Sequence, residues 1–293
     1  MDKNIQIFPK EQWPKKLLEI PQPPKQLFIE GKIPSEDYLW LCVVGSRKNS
    51  LYGKEICQDL IRSLQGQPIV IVSGLALGID SIAHQTAIEA GLPTIALPGS
   101  GLSEKVIHPR SNINLARNII KNKGALISEF ESNFKATMWA FPRRNRLMVG
   151  LCDAVLIIEA RKKSGTLITA RMATDYNRDV YTVPGSIYSK STEGPHSLIK
   201  QGATPITSPE DLLEELGMNS FSNPDIISKF KNLRQTTLSE EEKDIFKIIK
   251  EEPLTKEQVL LKSNYSIEKI NQIITSLELK DLIKESVGII RLA

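Results

Sequence analysis

Leu39-Trp40-Leu41-Cys42-Val43-Val44-Gly45-Ser46-Arg47 decides the fold. An unbroken apolar run ends in a glycine, a hydroxyl and a cation. A strand apolar on both faces belongs to a parallel sheet covered on both sides. The pattern repeats along the chain. Ile69-Val70-Ile71-Val72 runs into Ser73-Gly74, and Thr94-Ile95-Ala96-Leu97 into Pro98-Gly99. Ala154-Val155-Leu156-Ile157-Ile158-Glu159 leads to Ser164-Gly165-Thr166, and Val180-Tyr181-Thr182-Val183 into Pro184-Gly185. Ala125-Leu126-Ile127-Ser128 reads as a further strand. Helical patterns over 52–64, 79–90 and 164–176 fill the intervals. The alternation predicts an α/β fold: a Rossmann-like, doubly wound, mostly parallel sheet. In such sheets ligands bind outside the carboxyl ends of the strands. That rim gathers the loops at 45–47, 73–74, 98–99, 164–166 and 184–185.

The rest of the chain frames this unit. A length of 293 residues suits one large domain and one small one. Residues 1–38 read as an extended, proline-punctuated lead-in, so the large domain is expected over 1–216. Asn, Ser and Pro interleave over 217–236, which reads as a linker. Beyond it, short helices near 239–250, 255–261 and 266–279, then strand-like segments at 281–284 and 288–292, predict a winged-helix domain over 237–293. Its third helix opens with one lysine and one glutamate, where groove binding shows a basic stripe, so a protein contact is the favoured role. Cys42, Cys57 and Cys152 lie among apolar residues without metal or disulfide spacing, as small core residues do in a reducing compartment. No apolar run reaches the ~20 residues of a membrane span, and the amino terminus lacks a signal pattern. A cytoplasmic protein without membrane partners is expected. The net charge of +4 is modest, so a grip on a polyanion needs a local patch.

Phe141-Pro142-Arg143-Arg144-Asn145-Arg146 is such a patch. Guanidinium forks suit phosphate. If Pro142 opens a helix, these cations oppose its dipole, a cost that suggests an anionic ligand. Ser164-Gly165-Thr166 opens a helix after a buried strand and offers amides and hydroxyls to a phosphate. Gly45 to Gly53-Lys54 is no Walker loop: seven residues separate the glycines and Glu55 follows the lysine. Gly99-Ser100-Gly101 lacks the third glycine of a dinucleotide fingerprint. Asp80 and His84 share a helix face as a conceivable acid–base pair, although a hydrogen-bonded structural histidine is the commoner case. Glu129 and Glu159 end strands at the rim and are expected to pair with the arginines. Neither a metal spacing nor a nucleophile with an adjacent base is evident, so neither catalytic residues nor a cofactor is expected.

The motifs together resemble the DNA-processing protein A family (DprA, also called Smf). They are Gly45-Ser46-Arg47, Ser73-Gly74-Leu75-Ala76-Leu77-Gly78-Ile79-Asp80, Ser128-Glu129, the 141–146 hexapeptide, Ser164-Gly165-Thr166-Leu167-Ile168-Thr169-Ala170, Pro184-Gly185 and Leu198-Ile199-Lys200-Gln201-Gly202-Ala203. The resemblance implies a homodimeric, non-enzymatic protein that binds single-stranded DNA and loads the RecA recombinase onto it in natural transformation. It implies phosphate contacts by Arg47 and Arg110. With the rim residues, the candidate nucleic-acid contacts are Gly45, Ser46, Arg47, Gly74, Gly78, Arg110 and Asn112, then Arg143, Arg144, Asn145 and Arg146, then Ser164, Gly165, Thr166 and Lys200. His108-Pro109 stands where the family has Tyr-Pro. Trp139, Phe141, Tyr52 and Tyr188 are candidate stacking surfaces.

The competing readings are a nucleotide-processing hydrolase and a nucleotide sensor in the same crevice. Rossmann-type phosphoribohydrolases carry a glutamate in their last phosphate loop, and Lys163-Ser164-Gly165-Thr166-Leu167-Ile168-Thr169 has none.

Overall fold

The computed structural model describes residues 4–35, 37–218, 238–280, 282–286 and 288–292. The chain divides into two compact units, Met1–Asn219 and Ser220–Ala293. The linker expected over 217–236 lies almost wholly outside the described residues.

The first unit is built on β3 (Leu39–Val44), whose side chains are almost all buried. Trp40, Cys42 and Val44 enter one apolar core and Leu41 and Val43 the other, which is why the strand is apolar on both faces. Each large side chain so buried contributes about 1.5–3 kcal/mol. On one side β3 pairs in parallel with β4 (Ile69–Ser73), which pairs with β5 (Thr94–Ala96), then β6 (Ala125–Ser128). On its other side lie β7 (Ala154–Ile157), β8 (Asp179–Thr182) and β9 (Thr204–Pro205), also parallel. Strand order therefore reverses between β3 and β7, the topological switch point of a doubly wound sheet. After the short α1 (Lys15–Leu18), helices α2 (Leu51–Ser63) and α3 (Ile79–Glu89) supply Cys57, Leu60, Ile61, Ala83 and Ala87 to one core. Beyond α4 (Ile113–Lys121), helices α5 (Ala140–Leu151) and α6 (Gly165–Asp175) supply Leu147, Leu151, Ala170 and Ala173 to the other.

The lead-in is more than an extended approach. Its strands β1 (Gln6–Ile7) and β2 (Phe28–Gly31) add an antiparallel edge, with β2 against β6. Phe8, Trp13, Leu17, Leu27 and Ile29 are buried in the α5 core, and the Trp13 indole N–H donates to the Phe8 carbonyl at 2.9 Å. The prolines shape a segment that the core holds down. All three cysteines are buried and free. Among the described residues no helix is long and apolar enough to cross a membrane.

The second unit has helices Glu240–Glu251, Lys256–Lys262 and Ile267–Leu279. Strand Ile289–Leu292 pairs antiparallel with Leu254–Thr255 and Ile283–Ser286. Ile245, Val259, Ile270, Ile274 and Ile290 fill its core. Ser239 and Thr255 begin the first two helices with reciprocal capping boxes.

Candidate nucleic-acid interface

A cleft of about 480 Å³ opens at the switch point, between the ends of β3 and β7. Its floor is the loop after β3, which is pinned on every side. The Gly45 carbonyl accepts from the Thr166 hydroxyl at 3.2 Å, and the Ser46 carbonyl accepts from the Ile79 amide at 3.2 Å. Gly45 is obligatory, since a β-carbon there would lie 2.7 Å from Ile79. Gly78 turns the chain into α3 with φ 77°, and a β-carbon would strike the Ser46 carbonyl at 2.2 Å. At the far end Ser50 caps α2 and is held by Glu159, which accepts from its amide at 2.9 Å and its hydroxyl at 2.6 Å. Glu159 also accepts from Ser191 at 2.8 Å. It is fully buried, and serines rather than arginines satisfy it.

This pinned loop presents Arg47 and Lys48 to solvent. The Arg47 guanidinium sits 5.0 Å from the centre of the Phe141 ring, and His108 packs on the same ring at 5.9 Å. Across the cleft, Ser164 caps α6 by accepting from the Thr166 amide. A β-carbon at Gly165 would meet nothing within 4 Å, so the start of α6 lies open to the cleft. The exposed Arg161 and Lys163 complete the rim. Among the described residues Arg47, Lys48, Arg161 and Lys163 make no ion pair. Four such cations beside the amides that open α6 give this rim the chemistry that an anion requires.

The hexapeptide behaves differently. It lies in the first two turns of α5, where Ala140, not Pro142, begins the helix. Arg144 is buried and donates to the Gly74 and Leu97 carbonyls, tying the ends of β4 and β5 together. Burial pushes its guanidinium down to about 10. Arg146 is buried too, bonding Glu129 at 2.5 Å and the Gln22 carbonyl at 2.5 Å. Arg143 is half exposed and meets the other Glu129 oxygen at 2.9 Å. Glu129 thus takes both arginines, as the sequence suggested, whereas Glu159 takes neither. Asn145 bridges Arg144 and Thr169 on the cleft wall.

Several other expected contacts serve the scaffold. The Gly74 amide donates to Asp80 at 3.1 Å. Burial raises the Asp80 carboxyl above its usual range, although Arg144, the Ala76 and Gly74 amides and Arg47 pull it down. Asn112 is buried, its amide donating to the Leu75 carbonyl and the Ser81 hydroxyl, each at 2.8 Å. Gly99 lies under Phe141 and Gly185 under Thr192, so both loops pack behind the cleft instead of lining it. Arg110 is exposed and directly follows His108-Pro109, and that pair borders a small hollow shared with Arg47 and Phe141. Lys200 is exposed at the end of the helix Glu193–Ile199 and does not line the cleft.

Asp80 and His84 are not paired. The His84 ring nitrogen Nδ1 is 2.7 Å from the Thr94 hydroxyl, whose proton goes to the Ile71 carbonyl at 2.8 Å. Nδ1 must therefore carry the imidazole proton. Burial pushes this histidine down to about 3, so it stays neutral. Arg161, Lys163 and Lys48 are the cleft cations that sequence reasoning passed over. Their signal was present: Arg161-Lys162-Lys163 immediately precedes the Ser164-Gly165-Thr166 loop.

The family model described as DNA recombination-mediator protein A matches residues 4–217. Protein Smf of Escherichia coli is 41% identical over 225 residues, covering 73% of this chain and 60% of that protein, so the match spans less than two thirds of its length. DNA processing protein DprA of Streptococcus pneumoniae is 38% identical over 220 residues, covering 73% and 77%. The X-ray structure of the S. pneumoniae protein superposes with a TM-score of 0.66 at 37% identity, covering 73% of this chain and 76% of that one. DNA processing protein A from Helicobacter pylori, whose structure is described by its single-stranded DNA binding mode, gives a TM-score of 0.66 at 29% identity over 73% and 96%.

Proposed function

Because the chain belongs to the DNA recombination-mediator protein A family, we propose that its switch-point cleft binds single-stranded DNA and that the protein hands the strand to the RecA recombinase in transformation. The observation that carries the reading is the set of unpaired cations, Arg47, Lys48, Arg161 and Lys163, on a rigid rim beside an accessible aromatic ring. Single strands are held by that combination, a positive track for the backbone with stacking surfaces and little base readout. Arg110 extends the positive edge beyond His108.

The protein acts by binding, without catalysis. The carboxylates nearest the cleft are committed to the scaffold, Asp80 to two loop amides and Glu159 to Ser50 and Ser191. A hydrolase would need one of them aimed at a substrate. We read the protein as a cytoplasmic homodimer and the second unit as a winged helix that contacts protein. In that unit Lys269, on the third helix, is neutralised by Glu241 at 2.7 Å, while Ile267 and Leu279 stand 60% and 83% exposed. A reading helix for DNA would show the opposite balance.

Gel shifts of the pure protein with matched single and double strands at two salt concentrations test the cleft. Preferential, salt-sensitive binding of the single strand is expected, and equal or absent binding refutes it. Recombinase filament formation on strands precoated with single-strand-binding protein tests delivery, and a rate unchanged by this protein removes that part.

A further inference from the structure

A second groove, of about 990 Å³, lies on the other side of the start of α5. The proline-rich lead-in forms one wall through Pro21, Pro23 and Lys25. The opposite wall is Trp139 with Arg143. Pro142 borders both this groove and the cleft, so the two meet across one residue.

Trp139 is built as a platform. It stands edge-on to Phe130 at 5.7 Å and to Phe134 at 5.5 Å, and those two rings stack on each other at 4.4 Å. The Arg143 guanidinium lies over Trp139 and Phe130, oriented by Glu129. An indole so braced has lost its rotamer freedom before any ligand arrives, which lowers the cost of binding. Yet 53% of Trp139 remains in solvent, and the neighbouring Met138 is 85% exposed. The other two tryptophans, Trp13 and Trp40, are 3% and 1% exposed. The charge balance here differs from that of the cleft. Glu129 and Asp175 offset most of Arg143, Arg146 and Lys25, so stacking must dominate over phosphate attraction.

We propose that this groove is a second subsite for the same strand, in which a base stacks on Trp139 after the backbone leaves the cleft across Pro142. The proposal rests on the cleft's holding single-stranded DNA. Continuity at Pro142 favours a nucleic-acid occupant over a proline-rich peptide, the other ligand that aromatic grooves accept.

Intrinsic fluorescence provides a direct test, because Trp139 is the one solvent-facing tryptophan among the described residues. We expect an oligothymidylate of about twenty nucleotides to quench wild-type emission, and one of about four to bind without quenching. Trp139→Ala should weaken the longer strand about tenfold and spare the shorter, with the salt slope unchanged. Trp139→Phe, which keeps a ring, should retain most of the affinity and lose the quench. Wild-type binding of both strands without quenching, together with full affinity in Trp139→Ala, overturns the subsite and leaves the cleft standing. Failure of both strands to bind the wild type overturns the cleft reading and this one with it. Quenching by a proline-rich peptide and not by DNA also overturns it.

Discussion

The loop after β3 and the start of α5 bring arginines to the same rim and use them in opposite ways. In the loop, hydrogen bonds to backbone carbonyls and to Glu159 fix the chain, and Arg47 is left for a ligand. In the helix the arginines themselves are the fixing groups. Arg144 ties β4 to β5, and Arg146 ties the lead-in to Glu129. The difference teaches that an arginine near a phosphate site is a ligand only if the scaffold is already satisfied without it.

The sharpest way to break this contrast is Arg144→Ala. It leaves two buried carbonyls and the Asp80 carboxylate without their cation, and we expect a loss of about 3 kcal/mol in urea unfolding. Unchanged stability would place Arg144 with the ligand-facing arginines. Glu129→Gln should cost about 2 kcal/mol, because one amide cannot serve two guanidiniums, while single-strand affinity holds. Arg47→Ala should do the reverse: stability within about 0.5 kcal/mol, but strand affinity down at least about tenfold.

His84 extends the interior set, as a cation the fold refuses. The unfolded chain takes up its proton near 6.5 and the folded chain only near 3. Its contribution to stability is therefore complete above pH 6.5 and declines below it, by at most about 1.4 kcal/mol per pH unit. Urea titrations at pH 7.5 and 5.5 should show the drop in wild type and a smaller one in His84→Gln. The smallest effect belongs to Lys200→Ala, which should leave both the unfolding midpoint and the salt slope unchanged.

Much of this was legible in the sequence. The apolar run of β3 could be read because each residue meets a core on one face or the other. The glycine and serine loops could be read because the rim needs close approach, as at Gly45. The lead-in could not, since β1 and β2 are short and prolines hide the pairing of β1 with β2 and of β2 with β6. Nor could the division of labour among arginines. Arg47 and Arg144 are the same residue in similar company, and only the tertiary burial of one separates them. Arg161 and Lys163 belong to no motif of their own, and only the fold brings them to the cleft that Arg47 lines.

The most direct test of this division is the salt dependence of single-strand binding by Arg47→Ala/Arg161→Ala, beside wild type and with unfolding midpoints in parallel. Each neutralised phosphate contributes about 0.7 to the slope of log K against log salt. We expect the double variant to lose about 1.4 of that slope with its midpoint unmoved. A wild-type slope, or a slope lost only as the protein unfolds, would contradict the assignment of the strand to these cations.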